Sequence, residues 1–96
     1  DPNAPTNYQV TSVGKTSISI SWKDNSGIED SYEVWYQTTG VPDARAGFLG
    51  PNSESYTITG LVCGTNYTIT IRAVNEVDDW YYGVLGPFYQ NTASCN

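Results

Sequence analysis

Catalytic chemistry in this chain would have to rest on carboxylates, because the sequence contains no histidine. Without histidine, neither a Ser–His nor a Cys–His nucleophile pair can form. Two pairs of adjacent acids remain as candidates for general acid–base work, Glu29 with Asp30 and Asp78 with Asp79. Neighbours in a loop often point apart, and solvated acids are the ordinary outcome. The residues therefore predict a protein that is not an enzyme.

The two cysteines, Cys63 and Cys95, are the other residues with reactive side chains. A reduced pair is typical of the cytosol, whereas a disulfide would indicate an oxidising compartment. Two cysteines without a histidine are too few ligands for a metal site. The sequence also lacks a glycine-rich loop that would cradle a phosphate. We therefore expect no metal and no cofactor.

The charge balance argues against nucleic acid as a partner. The net charge is −6, with ten acids against four bases. Phosphate backbones require clustered lysine or arginine, but the four bases are scattered along the chain: Lys15, Lys23, Arg45 and Arg72. An anionic membrane surface is disfavoured for the same reason, and no run approaches the roughly 20 apolar residues of a membrane helix. We expect no nucleic acid and no direct membrane contact.

Alternation of apolar and polar residues predicts short strands along most of the chain. In "TSISISWK" the side chains of Ile18, Ile20 and Trp22 face one way and the serines face the other. The segments "SYEVWYQT" and "NYTITIRAV" alternate in the same manner, and turn formers recur every eight to twelve residues. No segment has a helical period. About seven such strands predict an all-β sandwich.

The organisation predicted is one domain over residues 1–96, since 96 residues suffice for a single core. Two prolines among small polar residues make residues 1–6 a linker-like N-terminus. Strand parity places the two termini at opposite poles of the sandwich. Pro87 interrupts the last strand and predicts that it lies at a sheet edge.

The chain resembles the fibronectin type III family over essentially its whole length. The resemblance rests on Pro5, on "SISISW" with Trp22, on "YEVWY" and on "SYTITGLVCGTNYTITIRAVN". It implies a seven-stranded immunoglobulin-like β-sandwich in which Trp22 and Leu61 are structural. Tyr67 would be the tyrosine-corner residue, whose hydroxyl bonds to the chain near Leu61. The stretch "WKDNSGIEDSYEV" resembles type III modules of bacterial secreted proteins more than animal ones.

The resemblance also implies a partner for each cysteine. The family pairs its last two strands as a hairpin, and a hairpin centred on Asp79 places Cys63 opposite Cys95. We therefore expect a Cys63–Cys95 disulfide and, with it, an extracellular protein that is secreted or displayed at the cell surface. Asn66 begins an N-x-T triplet and would accept an N-linked glycan in a eukaryotic host.

The aromatic stretch "DDWYYG" falls at the tip of that hairpin, in a loop that relatives use for contacts. The candidate binding loop comprises Asp78, Asp79, Trp80, Tyr81 and Tyr82. Three adjacent aromatics cannot all point inward on a strand. We expect one or two of them to be structural and Tyr81 to be the exposed contact.

Seven acids should gather at the same pole: Asp24, Glu29, Asp30, Glu54, Glu76, Asp78 and Asp79. One interpretation is a Ca²⁺ site, which needs six to eight oxygen ligands. The other is a solvated acidic end that aids solubility. The spacing of these acids matches no known calcium loop.

A second candidate surface contains Trp35 and Arg72. Trp35 is out of phase with its apolar neighbours and should face outward, where Arg72 of the adjacent strand can stack on it. Either Trp35 is a partly covered surface tryptophan, or the pair belongs to a face that binds a partner.

These features predict a non-catalytic extracellular module of a larger modular protein. It would make protein–protein or adhesion contacts, with the aromatic loop as the candidate site. The alternative is a passive spacer between domains of a secreted multidomain enzyme such as a glycoside hydrolase. The partner would be another protein or the neighbouring domains of the same chain, with carbohydrate as a further candidate. The isolated domain should be monomeric.

Overall fold

Seven β-strands make up the regular structure of the protein. The computed structural model describes residues 5–23, 31–39, 43–50, 53–75 and 80–96, and describes residues 75 and 80–82 by their backbone alone. The strands are β1 (Thr6–Val13), β2 (Ile18–Lys23), β3 (Ser31–Gln37), β4 (Ala44–Leu49), β5 (Ser55–Ile58), β6 (Asn66–Asn75) and β7 (Trp80–Asn91). The prediction of an all-β, seven-stranded chain is confirmed.

The strands form two antiparallel sheets that pack face to face. The smaller sheet has the order β1-β2-β5, and the larger has the order β4-β3-β6-β7. β7, which contains Pro87, lies at an edge as predicted, because proline cannot donate a hydrogen bond to a further strand. Within the larger sheet β3 and β6 are central, so each is hydrogen-bonded to a neighbouring strand along both of its edges.

The core lies between the sheets and consists of the inward side chains that alternation predicted. Ile18, Ile20 and Trp22 of β2 are buried there, and the intervening serines face away. Their counterparts from the larger sheet and the connecting segment are Tyr32, Val34, Leu61, Tyr67, Ile69, Ile71 and Ala73. Burial of these apolar side chains is the main force that holds the sheets together.

β1 and β7, which belong to different sheets, are joined through Tyr8 and Phe88. The two rings stack almost parallel, with centroids 3.7 Å apart. Burial raises the pKa of the Tyr8 hydroxyl to about 12, because the phenolate would lose its hydration. The first and last strands therefore close one side of the sandwich.

The two ends of the described chain lie at opposite poles. The Ala93 N–H donates to the Gly14 carbonyl at 2.9 Å, so the end of β1 lies beside the segment that follows β7. β1 itself begins at the other pole, where Thr6 pairs with Lys23. Pro5 is already buried and Thr6 is in the strand, so β1 begins at the last residue of the segment predicted to be linker-like.

The predicted disulfide between Cys63 and Cys95 is present, with the two Cα atoms 5.1 Å apart. It lies just outside the hairpin, because Cys63 precedes β6 and Cys95 follows β7. Backbone hydrogen bonds run beside it, from Gly64 to Ala93 at 2.8 Å and from Thr92 to Thr65 at 3.0 Å. The bond therefore ties the segment after β7 to the turn before β6.

The tyrosine corner is also confirmed. Tyr67 is buried at the start of β6, and its hydroxyl accepts a hydrogen bond from the Val62 N–H at 2.9 Å. The bond falls one residue after Leu61, which is itself buried in the core. It fixes the crossing from β5 in one sheet to β6 in the other.

Candidate functional site

The aromatic loop predicted as a binding site lies only partly within the described chain. Asp78 and Asp79 fall outside the described residues. The backbones of Trp80 and Tyr81 open β7, where they pair with Asn75 and Val74. The side chains of Trp80, Tyr81 and Tyr82 also fall outside the described part of the chain. Their predicted roles therefore stay predictions.

Trp35 and Arg72 meet on the side of the larger sheet that faces away from the core. β3 and β6 are antiparallel neighbours, and the Arg72 guanidinium carbon lies 4.6 Å from the centre of the Trp35 ring. This distance is typical of a cation–π contact. The outward orientation of both side chains and their stacking are therefore as the sequence predicted.

Three further residues join this pair, and the sequence did not single them out. The Trp35 indole N–H donates to Glu33 Oε1 at 2.8 Å, and Arg45 Nη1 donates to Glu33 Oε2 at 3.1 Å. The guanidinium of Arg45 also lies 4.9 Å from the centre of the Phe48 ring. We call Glu33, Trp35, Arg45, Phe48 and Arg72 the cation–aromatic cluster. Two planar cations, two aromatic rings and one carboxylate are thereby held in one network.

A β-bulge in β4 brings two of these residues to the same side. Arg45 and Phe48 are three positions apart, so strict alternation would place them on opposite faces. Arg45 pairs with Trp35 and Gly47 pairs with Val34, which leaves Ala46 as the extra residue. Such an insertion reverses the alternation from that point onward. Arg45 and Phe48 consequently both lie beside β3 residues that face outward.

Tyr56 of the smaller sheet supports the bulge from the core side. Its hydroxyl donates to the Ala46 carbonyl at 2.7 Å. The Tyr56 ring occupies the space next to Gly47, where an added Cβ would lie 2.5 Å from the ring carbon Cζ. Glycine is therefore required at this position for the ring to reach the bulge.

Exposed apolar side chains extend the same surface. Phe48 is 49% exposed, Val84 is 48% exposed and Tyr89 is 70% exposed. Val84 pairs with Arg72 and Tyr89 pairs with Thr68, so both lie beside outward residues of β6. We call this surface, the cation–aromatic cluster together with Val84 and Tyr89, the outer face.

The corresponding surface of the smaller sheet is quite different. Its outward residues on β2 and β5 are mostly serine and threonine, with Lys23 at the end of β2, and the hydroxyls of Ser19 and Thr57 lie 2.9 Å apart. The two sides of the sandwich therefore offer unlike surfaces to solvent. Aromatic rings stacked with arginines occur on one, and serine and threonine predominate on the other.

The described residues contain no group of three or more His, Cys, Asp or Glu that could hold a metal ion. Of the acids predicted to gather at one pole, only Glu54 lies in the described part of the chain. No concave pocket forms among the described residues. Within that same part there is also no helix long and apolar enough to cross a membrane.

Comparison with known families assigns the fold. The sequence profile of the fibronectin type III domain matches residues 3–80. The chain belongs to the fibronectin type III family. This family supplies modules that are typically non-catalytic, although they also occur as separate domains within enzymes.

Relatives of this fibronectin type III domain are much longer proteins. It is 36% identical over 73 residues to a poly(3-hydroxybutyrate) depolymerase of Ralstonia pickettii, covering 76% of this chain and 13% of the depolymerase. It is 32% identical over 95 residues to receptor-type tyrosine-protein phosphatase V of Rattus norvegicus, covering 99% of this chain and 5% of the phosphatase. The domain therefore matches a small part of proteins with different activities.

A solved structure supports the fold independently. The FN5 domain of Drosophila Lar superposes with a TM-score of 0.77, covering 98% of this chain and 99% of that domain, at 20% sequence identity. At this identity the likeness concerns the fold alone. The side chains of the outer face are therefore not described by this likeness.

Proposed function

We propose that this domain is a non-catalytic extracellular module of a larger protein and that it contacts another protein through its outer face. The observation that carries the proposal is the cation–aromatic cluster with exposed Phe48, Val84 and Tyr89 beside it. Trp, Tyr and Arg are the residues most enriched among those that dominate binding energy at protein interfaces. Solvent-facing sheet surfaces are ordinarily polar, and the smaller sheet has such a surface.

Order within the cluster favours binding as well. Glu33 fixes the Trp35 ring and the Arg45 guanidinium through one hydrogen bond each. A surface whose side chains are already held loses less conformational entropy when a partner binds. The hydrogen bonds and ring contacts thus support a preformed contact surface.

The extracellular location rests on the disulfide. Cys63 and Cys95 are bonded, and stable disulfides are characteristic of proteins exposed to oxidising compartments. In such a setting Asn66 is a candidate glycosylation site, because it is exposed at the start of β6. Its side-chain amide donates to Asn91 Oδ1 at 2.8 Å, a bond that a glycan on Asn66 would alter. The isolated domain is proposed to be a monomer.

The aromatic loop is proposed as a second part of the contact. β7 begins at Trp80, and Val84 of the outer face follows four residues later on the same strand. Asp78 and Asp79 precede this strand in the sequence, and Trp80 to Tyr82 are its first residues. A partner that covers Val84 would lie close to the beginning of β7.

A passive spacer is the second candidate function, and the position of the termini favours it. β1 begins at one pole, and the segment after β7 ends at the other. Modules of this kind can be joined end to end, and the similarity to a depolymerase agrees with a place in a multidomain enzyme. A spacer would need no partner, protein or carbohydrate, on the outer face.

Site-specific photo-crosslinking in the parent protein tests the proposed contact. A photoreactive phenylalanine analogue replaces Phe48 or Val84 on the outer face, and a control replaces Thr57, which is exposed on the smaller sheet. We expect a discrete cross-linked polypeptide from both outer-face positions and none from Thr57. Equal cross-linking at Thr57, or none at Phe48 and Val84, would contradict the proposal.

A further inference from the structure

The segment that follows β7 is anchored to the domain although it forms no strand. Thr92 is only 5% exposed, and its backbone N–H donates to the Thr65 carbonyl at 3.0 Å. The Thr92 hydroxyl accepts a hydrogen bond from the Thr65 N–H at 3.0 Å and donates to the Val62 carbonyl. The last residues of a domain are usually poorly ordered unless such contacts hold them. The chain therefore leaves β7 along a fixed course.

Ala93 and Cys95 extend this anchoring to both sheets. The Ala93 N–H donates to the Gly14 carbonyl, in the turn between β1 and β2 of the smaller sheet. The Ala93 carbonyl accepts a hydrogen bond from the Gly64 N–H, just before β6 of the larger sheet. Two residues later the disulfide joins Cys95 to Cys63. The position of the segment is thus fixed relative to the whole sandwich as far as Cys95.

Two exposed valines flank the anchored segment. Val13 ends β1, one residue before the carbonyl that Ala93 contacts, and is 38% exposed. Val62 lies one residue before the disulfide and is 61% exposed. The backbone of Val62 is held on both sides, because its N–H donates to the Tyr67 hydroxyl and its carbonyl accepts from Thr92. An apolar side chain on a backbone that is already ordered loses little entropy when another surface covers it.

The residues around these valines carry little charge. The described segments 13–17, 60–65 and 92–96 meet here, and a hydrogen bond from the Leu61 N–H to the Thr16 carbonyl joins the first two. They contain one charged side chain, Lys15. We call these three segments the disulfide pole. Since the removal of charges from water is costly, a surface with so few charges is suited to being covered by another folded unit.

The course of the chain identifies what would cover the disulfide pole. In a larger protein, any residue that follows Asn96 begins one position beyond the anchored Cys95, close to Val62 and to the end of β1. A contact between tethered units forms at a high effective concentration. A separate protein would have to compete with the polypeptide that emerges at this point. The following part of the same chain therefore fits the disulfide pole better than a free partner does.

We propose, resting on the proposed place in a larger protein, that the disulfide pole is a docking surface for the part of the same chain that follows Asn96. The side chains of Val13 and Val62 pack against this part, and the Cys63–Cys95 bond fixes the direction in which it leaves. Joined domains move relative to one another by default unless their interface is extensive and apolar. The disulfide pole makes this junction a rigid one.

Photo-crosslinking in the parent protein tests the docking surface. A photoreactive phenylalanine analogue replaces Val62, and a control replaces Thr57, which is exposed on the smaller sheet. We expect a cross-link from Val62 to residues of the same polypeptide C-terminal to Asn96, located by mass spectrometry of the digested protein. We expect no such cross-link from Thr57.

Loss of the disulfide tests whether it fixes the direction of the chain. In the Cys63→Ala/Cys95→Ala variant the intramolecular cross-link from Val62 should fall several-fold, because the emerging chain then samples more directions. Gly47→Ala, which disturbs the domain at Tyr56 and away from the disulfide pole, is the matched control and should leave the yield within about twofold. Amide spectra of each variant domain confirm that it is folded. An unchanged yield without the disulfide would contradict its proposed role.

A variant at the surface of the disulfide pole gives a second measurement. Val62→Ser should raise the rate of proteolytic cleavage just after Asn96 in the purified parent protein several-fold, because an undocked junction is open to a protease. Val84→Ser is the matched control, since Val84 is a similarly exposed valine on the outer face, and it should leave this rate unchanged.

Failure of this inference differs from failure of the proposed function. No cross-link from Val62 within the chain, or equal cleavage of the Val62→Ser variant and the unaltered protein, would overturn the docking surface. If Phe48 still cross-links to another polypeptide, the function of the outer face stands without it. If Val62 cross-links within the chain and Phe48 gives no product, the docking surface stands and the domain is a spacer.

Discussion

Replacing Cys63 and Cys95 together by alanine is expected to lower the free energy of unfolding by about 3–4 kcal/mol. The bond joins residues separated by 32 positions and so restricts a long loop in the unfolded chain. Cys63 is half-buried and Cys95 is exposed, so loss of the side chains leaves little cavity in the core. Urea denaturation followed by tryptophan fluorescence measures the change.

Two controls accompany that measurement. Unfolding of the unaltered protein in the presence of a reductant should show a similar loss, because it removes the same cross-link. Val62→Ala alters an exposed neighbour of Cys63 and should change stability by no more than about 0.5 kcal/mol. A loss below about 1 kcal/mol for the cysteine pair would show that the disulfide contributes little to stability.

Gly47→Ala is expected to destabilise the protein by about 1–3 kcal/mol through overpacking. The new Cβ would lie 2.5 Å from the Cζ atom of Tyr56, so the ring has to move. Movement of the ring breaks the hydrogen bond from Tyr56 to the Ala46 carbonyl. Since that bond supports the bulge, the Arg45 and Phe48 side chains should lose their common orientation. Urea denaturation gives the stability, and the Phe48 and Arg45 resonances report the bulge.

Gly50→Ala is the matched control, because an added Cβ at Gly50 meets no atom within 4 Å. It should change stability by no more than about 0.5 kcal/mol. In a Tyr56→Ala background the steric conflict is removed, so the cost of Gly47→Ala should fall well below its value in the unaltered protein. Equal costs in the two backgrounds would exclude Tyr56 as the cause.

Much of the architecture follows from short-range regularities of the sequence. Alternation in "SISISW" defines which side of β2 faces the core, and Trp22 is buried as expected. The same regularity predicts that Trp35 faces outward, where Arg72 stacks on it. The tyrosine corner at Tyr67 and the disulfide follow from the family resemblance, because both depend on how distant strands meet.

The cation–aromatic cluster was only half predictable, for two physical reasons. The bulge at Ala46 is supported by a hydrogen bond from Tyr56 in the other sheet. No local pattern of residues in "ARAGFLG" predicts a bulge. Glu33 has the position of a solvated strand residue, yet Trp35 and Arg45 cover it. Burial of that carboxylate depends on side chains from two strands, which alternation along one strand does not describe.

A contact surface and a passive spacer place different demands on the molecule. A spacer requires only its two poles, where neighbouring domains would join. The outer face is on the side of the larger sheet that faces away from the core. A spacer would not require its exposed side chains, Phe48, Val84 and Tyr89. The two functions therefore differ in whether these side chains become covered when the parent protein acts.

Hydroxyl-radical footprinting of the parent protein in its native setting, compared with the isolated domain, measures that covering most directly. Three exposed valines provide matched reporters: Val84 on the outer face, and Val13 and Val62 near the pole that contains the disulfide. We predict that Val84, together with Phe48 and Tyr89, is oxidised several-fold more slowly in the parent protein. Unchanged oxidation of Val84, with protection confined to Val13 and Val62, would contradict the contact surface and establish the spacer.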